Sequence, residues 1–356
     1  MTTSLFQPLG FRTGLIASNR VVLAPMTNKQ SHDDGTLSEN ELRWLVSRAD
    51  GGFGLIMTCA AHVAKDGQGW PGELGIYDDA HLPGLTHLAT ELHARGAKCM
   101  VQIFHGGVRA DSSVSGVQPW SASEIEHARA ATTEDITRVI AQFARAAQRA
   151  EQAGFDGVEL HGAHGYLLTQ FLSNTQNQRT DEWGGALENR ARLIREVARA
   201  VRAATSRNFT VGVRLSPEDF GNAKGLDLDE SIQVARWLAE DGLDFIHLSL
   251  WRSAPNTHKY PDQHALPMFR AALPNDVTLL VAGAVYTPDE AQALLNLGAD
   301  GVALARSAIL NPDWPIQAER EGWQPLRPPV TFEQLQTRHL GAPFAEYMRS
   351  WKGFVA

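Results

Sequence analysis

Gly157-Val158-Glu159-Leu160-His161-Gly162-Ala163-His164-Gly165-Tyr166 is the stretch that decides how the chain is read. Its first half is a short apolar run of strand length. Its second half places two imidazoles and a phenol within six residues, where that strand runs out. Titratable groups gathered at the end of a buried strand are costly to desolvate unless they are used. A helix from about Glu134 to Ala153 precedes the run, with Ile136, Val139, Ile140, Phe143, Ala146 and Ala147 near the 3.6-residue period and Gly154 as its stop. A second helical stretch, Leu187 to Ala204, follows.

Outward from this centre the same strand–helix unit recurs about eight times. The apolar runs are Val21–Pro25, Phe53–Ala61, Lys98–Phe104, 156–161, Thr210–Leu215, Phe245–Leu250, Val277–Val285 and Gly301–Ala305. Between them lie helical stretches such as Ser38 to Asp50, where Ser38 and Glu41 form a capping box, His81 to Arg95, Leu228 to Glu240, and one with Pro288 in its first turn. The runs hold few charges, as strands buried on both faces do. Alternation of this kind means a parallel sheet, and eight units favour a closed (β/α)8 TIM barrel of the α/β class. The open doubly wound alternative lacks its G-x-G-x-x-G fingerprint after the first strand. Residues 5–19 read as a hairpin or irregular cap. Arg327-Pro328-Pro329 separates a short tail, so the division is a single barrel domain over 1–330 and a helical tail over 331–356, packed on the barrel or on a partner subunit.

The net charge of −8 argues against a nucleic-acid or anionic-membrane surface. No apolar run approaches the roughly 20 residues of a membrane span. Met1-Thr2-Thr3-Ser4 has neither the basic segment nor the apolar core of a signal peptide. Cys59 and Cys99 both sit in apolar runs, so a reducing, cytoplasmic setting is expected.

Active sites of such barrels lie at the C-terminal strand ends. These ends carry Pro25-Met26-Thr27, Ala60, Gln102 and His105, then His161, His164 and Tyr166, followed by Arg214, Ser249 and Trp251, Gly283, and Ala305-Arg306. Carboxylates are scarce among them, so no metal is expected. Gly283 and Arg306 close strands seven and eight, where barrels often bind phosphate; a plain strand end and a surface ion pair are the alternative. Arg214, inside an apolar strand, needs an anion, either a ligand or a carboxylate such as Glu159. Gln102 reads equally as a buried structural hydrogen-bonder or a ligand contact, and His247 as core.

Asn19-Arg20-Val21-Val22-Leu23-Ala24-Pro25-Met26-Thr27, the block from His161 to Leu168, Gln170-Phe171-Leu172-Ser173, the block from Arg179 to Arg190, and Asn311-Pro312-Asp313 resemble the Old Yellow Enzyme family. The resemblance implies FMN as cofactor, NAD(P)H as reductant, and hydride transfer to the activated alkene of an enone, enal or nitro compound. It further implies that His161 and His164 bind the substrate oxygen and that Tyr166 protonates carbon. A phenol of ordinary pKa stays protonated near pH 7 and can therefore donate. By the same resemblance Pro25, Met26, Thr27, Ala60, Gln102, Arg214, Gly283, Ala305 and Arg306 contact the flavin. Lys29, Trp70 and Trp251 fall where substrate contacts vary. A homodimer is expected, with Arg349 near a neighbouring site. The competing functions are a flavin dehydrogenase or nitro-ester reductase, a flavin-binding protein without chemistry, and a barrel hydrolase using His161 and His164 as metal ligands.

Overall fold

The computed structural model describes residues 4–125 and 127–356; Met1-Thr2-Thr3, read above as lacking a leader, lie outside the described residues. Eight strands close into one parallel barrel: β1 (Val21–Leu23), β2 (Leu55–His62), β3 (Lys98–Phe104), β4 (Gly157–Gly162), β5 (Thr210–Leu215), β6 (Phe245–Ser249), β7 (Thr278–Ala282) and β8 (Gly301–Leu304). Each pairs with its sequence neighbour, and β8 returns to β1 through Val302–Val21 and Leu304–Leu23. The main helices between them are α1 (Glu39–Asp50), α2 (Leu82–His93), α3 (Thr133–Gln152), α4 (Arg192–Ala204), α5 (Leu228–Glu240), α6 (Ala265–Ala272), α7 (Pro288–Asn296) and α8 (Arg306–Leu310). No helix among the described residues is long and apolar enough to cross a membrane.

Alternation along the strands sorts side chains into two cores. Outward residues such as Val158, Leu160, Val211 and Val213 pack against the helices with Ile136, Val139 and Phe143 of α3. Inward residues Met57, Met100, Phe245 and Leu280 fill the lower barrel. A hairpin that pairs Leu9–Gly10 with Ile16–Ala17 plugs this end. Its Leu9, Phe11 and Ala17 join the inner core, with Phe11 edge-on to Phe245 at 5.7 Å between centroids. Above that apolar layer the inward positions turn polar. Register sets Gln102 beside Glu159, His161 beside Arg214, and Arg214 beside His247.

Two stretches differ from the sequence reading. The helix expected over 187–204 is interrupted at Ala191, leaving Leu187–Arg190 and then α4. Arg190 is buried there and donates to the carbonyls of Gly185 and Leu172 and to Glu230, which ties the turn to the neighbouring loop rather than to a straight helix. The long connection after β3 has local structure of its own among its described residues. It contains a tight turn at Gly107–Arg109, and Trp120–Ser121 pairs with Arg129–Ala130.

The tail folds back on its own barrel as α9 (Phe332–Gln336) and α10 (Ala342–Arg349). Phe344 stacks on Trp44 of α1 at 5.6 Å. The fully buried Arg48 donates to the carbonyls of Ala308, Ile309 and Arg338, joining α1, α8 and the tail.

Gly212 shows how tightly the inner layers fit: a Cβ there would lie 2.3 Å from the Phe245 ring. Gly212→Ala should lower stability by about 1–3 kcal/mol in denaturant unfolding. Gly10→Ala, where a Cβ meets nothing within 4 Å, should cost far less. Equal costs at the two positions would refute this account of the packing.

Candidate active site

The C-terminal strand ends and the tail enclose one cavity of about 510 Å³. Of the residues expected at the site, Pro25, Met26, Thr27, Ala60, Gln102, His161, His164, Tyr166, Arg214, Gly283, Ala305, Arg306, Trp70 and Trp251 all line it. Lys29 does not. Its backbone is left-handed (φ 56°), and its ammonium is drawn over the Tyr347 ring, 5.2 Å from the centroid. Arg349 stays on its own tail, pairing with Glu346 at 3.0 Å and lying over the Phe332 ring. His105 turns away from the cavity: its ring packs at a tilt against Trp120 and accepts the N–H of Gly107.

One wall is built from His161, His164 and Tyr166. His161 meets His164 and Tyr166 edge-to-face, at 5.1 and 4.9 Å between centroids. Tyr166 is in turn edge-on to Phe104 at 4.6 Å. The N–H of Ala163 donates to Nδ1 of His161 at 3.4 Å, which leaves Nε2 as that ring's protonated nitrogen. His164 is held at φ 63°. Its N–H donates to Ser216 Oγ (3.1 Å), its carbonyl accepts from Arg109 (2.8 Å), and its Nε2 meets Ser249 Oγ at 2.7 Å. Left-handed non-glycine backbone is uncommon and persists only when its surroundings fix it. Three such residues, Lys29, His164 and Ala284, lie at or beside this cavity.

Burial sets the charge states. It pushes both imidazoles well below the usual histidine range, with neighbouring Arg214 and Arg109 adding to the effect, so both are neutral donors. Burial likewise pushes the Tyr166 phenol up to about 12. The wall therefore presents neutral N–H groups and a protonated hydroxyl.

The floor is a polar layer inside the barrel. Glu159 accepts from Gln102 Nε2 and from His247 Nδ1, each at 2.7 Å. Arg214, by contrast, donates only to the Pro25 carbonyl, at 3.3 Å, and its Nε has no partner. The ion pair with Glu159 weighed as an alternative is not formed, because that carboxylate is already engaged. A guanidinium 6% exposed and without an anion fits a ligand with an anionic edge. Arg306, over the face of Trp251 at 5.6 Å, adds a further cation, and among the described residues no carboxylate lines the cavity. These features fit an anionic, flat, phosphate-bearing group such as FMN. Gly283 lines the cavity, and its missing Cβ also makes room for the carbonyl of Leu250, 2.2 Å from where that atom would sit, so the glycine seats the loop after β6 as well.

Several lining residues escaped the sequence reading. Arg109 comes from the ordered turn after β3, and Phe344, Tyr347, Met348 and Trp351 come from the tail. Trp351 stacks on Trp251, which stacks on Phe220, forming an aromatic rim. The spacing of Phe344, Tyr347, Met348 and Trp351, a helical stripe, was the available signal. Among the described residues the one His/Cys/Asp/Glu group placed to hold a metal is His93–Cys99–Asp156, which lies outside the cavity and does not include His161 or His164.

Residues 4–322 match the NADH:flavin oxidoreductase / NADH oxidase family. A probable NADH-dependent flavin oxidoreductase, YqiG of Bacillus subtilis, is 34% identical over 99% of this chain and 97% of its own length. The old yellow enzyme homologue of Zymomonas mobilis superposes with a TM-score of 0.83 at 30% identity, over 94% of this chain and 96% of the other. Morphinone reductase does so with a TM-score of 0.83 at 29% identity, over 98% and 96%.

Neutral buried histidines make the protein acid-sensitive. A histidine whose folded pKa is depressed costs nothing above the unfolded value of about 6.5, and stability is lost as pH falls below it, because only the unfolded chain takes up the proton. Burial depresses His62 and His247 as well as His161 and His164. Below that value each therefore costs stability, and the cost grows as pH falls. Replacing His161 and His164 with Asn should roughly halve the fall in unfolding free energy between pH ~7 and ~5. An unchanged slope would mean that the two imidazoles are not held neutral.

Proposed function

The chain belongs to the NADH:flavin oxidoreductase / NADH oxidase family, the Old Yellow Enzymes, and is an NAD(P)H-dependent flavin oxidoreductase with FMN as cofactor; from that premise we propose that it reduces the activated C=C bond of α,β-unsaturated carbonyl or nitro compounds. When bound, FMN takes electrons from NAD(P)H and supplies the hydride. The chain's own residues do the rest. Arg214 holds the anionic edge of the flavin ring, Arg306 its phosphate, and Pro25, Met26, Thr27, Ala60, Gln102, Gly283 and Ala305 its remaining edges. His161 and His164 donate N–H groups to the substrate oxygen and stabilise the charge that collects there as the alkene is attacked. Tyr166 holds the proton destined for the α-carbon. Trp70, Trp251 and the tail's aromatic residues exclude water and bound the substrate.

The observation that carries this reading is the wall itself: two neutral imidazoles and a protonated phenol in mutual contact, facing a cavity floored by a guanidinium that, among the described residues, forms no ion pair. Among the described residues neither imidazole belongs to a group of three or more potential metal ligands, which gives the metal-hydrolase alternative no support. The dehydrogenase and nitro-ester readings share the flavin and differ in whether carbon is protonated. The two free cysteines, both buried, support a cytoplasmic setting, and a homodimer is the assembly proposed on symmetry grounds.

Tyr166→Phe decides between these readings. It should slow enone reduction by about 100-fold or more while leaving reduction of the flavin by NAD(P)H, and turnover with a quinone that needs no proton on carbon, unchanged. An enone rate equal to that of the native enzyme would remove Tyr166 from the reaction.

A further inference from the structure

Arg109 reaches the wall from the turn that follows β3. Its guanidinium carbon lies 4.1 Å from the centroid of the Tyr166 ring, and its Nη1 donates to the His164 carbonyl at 2.8 Å. One side chain thus touches both ends of the His164-Gly165-Tyr166 segment. Among the described residues it pairs with no carboxylate, so its charge is directed at the ring rather than spent on an ion pair.

The distance between cation and ring is fixed by a buried amide. Gln170, fully buried, donates from Nε2 to the carbonyls of Gly106 (3.2 Å) and Gly165 (2.9 Å). Its Oε1 accepts from the N–H of Val108 (3.1 Å) and the hydroxyl of Ser121 (2.8 Å). The loop carrying Arg109 and the loop carrying Tyr166 are thereby tied to the same side chain. A Cβ on Gly107 would lie 2.1 Å from Gln170 Oε1, which shows how closely the two loops approach.

We propose that Arg109 is a positioning residue for proton transfer: it fixes the Tyr166 ring and stabilises the phenolate left when the proton is given. The inference rests on Tyr166 being the proton donor. In that step the Tyr166 O–H bond breaks, a C–H bond forms at the α-carbon of the substrate, and the electron pair of the O–H bond stays on the phenolate oxygen. The phenolate then takes a proton back from solvent. A cation over the ring face attracts the phenolate more strongly than the phenol, so its presence favours the transfer. The other groups facing the phenol do not help: Glu73 and Tyr347 oppose its ionisation, and burial holds His161 neutral. Arg109 is the cation in contact with the ring that acts against burial.

The test uses the FMN-loaded protein and four variants: Arg109→Met, Arg109→Lys, Tyr166→Phe and the Met/Phe double variant. Rapid mixing of the reduced enzyme with 2-cyclohexenone measures the alkene step alone. Arg109→Met should slow it about tenfold, and Arg109→Lys should restore most of the loss. In the Tyr166→Phe background, Arg109→Met should add nothing further, because the group through which it acts is gone. A second readout needs no turnover: with fluorotyrosine incorporated at position 166, ¹⁹F NMR follows ionisation of that phenol, and Arg109→Met should raise its pKa by about one unit. Additive losses in the double variant, or an unmoved phenol pKa, would overturn the proposal. An enone step insensitive to Tyr166→Phe would instead overturn the donor assignment on which it rests, and the ¹⁹F shift would still report whether Arg109 acts on the ring.

Discussion

The Arg214 guanidinium is the constraint around which the site is arranged. It sits inside the barrel with one long hydrogen bond to a carbonyl, an orphaned Nε, and no carboxylate of its own. Burying such a charge is costly unless an anion answers it. The one nearby acid, Glu159, is held by Gln102 and His247. The barrel therefore carries a standing requirement for an anionic ligand at its mouth, a requirement that an anionic flavin phosphate such as FMN suits. Among the described residues the cavity has no acidic lining to compete.

The same desolvation that leaves Arg214 in need of an anion gives the reactive wall its protonation states. Burial keeps His161 and His164 neutral and Tyr166 protonated. Neutral imidazoles are the donors wanted at a carbonyl oxygen that gains charge, and a protonated phenol is the group wanted at a carbon that must receive a proton. Geometry comes from elements that are individually awkward: a left-handed His164 held by Ser216, Ser249 and Arg109, and a buried Gln170 whose amide ties two loops together. Strain and buried polarity are tolerated here because the surrounding bonds leave no alternative arrangement.

Much of this was legible before any coordinates. Eight apolar runs alternating with helices announce the barrel, because strands buried on both faces must be apolar throughout. His161, His164 and Tyr166 stand out because polarity appears where such a strand ends. The resemblance carried by residues 19–27 and 161–190 named the family and its flavin cofactor. Other parts depend on tertiary contacts that a linear pattern does not encode. The aromatic stripe of the tail could be seen as an amphipathic helix, yet nothing in it says that it docks beside β6 through Trp351 on Trp251. Arg109 lay in a stretch read as a long loop, and its partners are 55 and 57 residues further on. Lys29 was placed by the resemblance where substrate contacts vary, but a left-handed turn sends its side chain over Tyr347. Gly283 lines the cavity as expected of a ligand-facing glycine, but its second task, leaving room for the chain's own Leu250 carbonyl, needs the folded loop to be seen.

The most direct test of the central claim is the visible absorption spectrum of the purified protein under anaerobic conditions, recorded alone, after NADPH or NADH, and after a subsequent addition of 2-cyclohexenone. The account predicts a yellow protein whose flavin band bleaches with the nicotinamide and returns in full with the enone. A band that bleaches but stays bleached in the presence of enone would contradict the claim that this wall of imidazoles and phenol reduces activated alkenes.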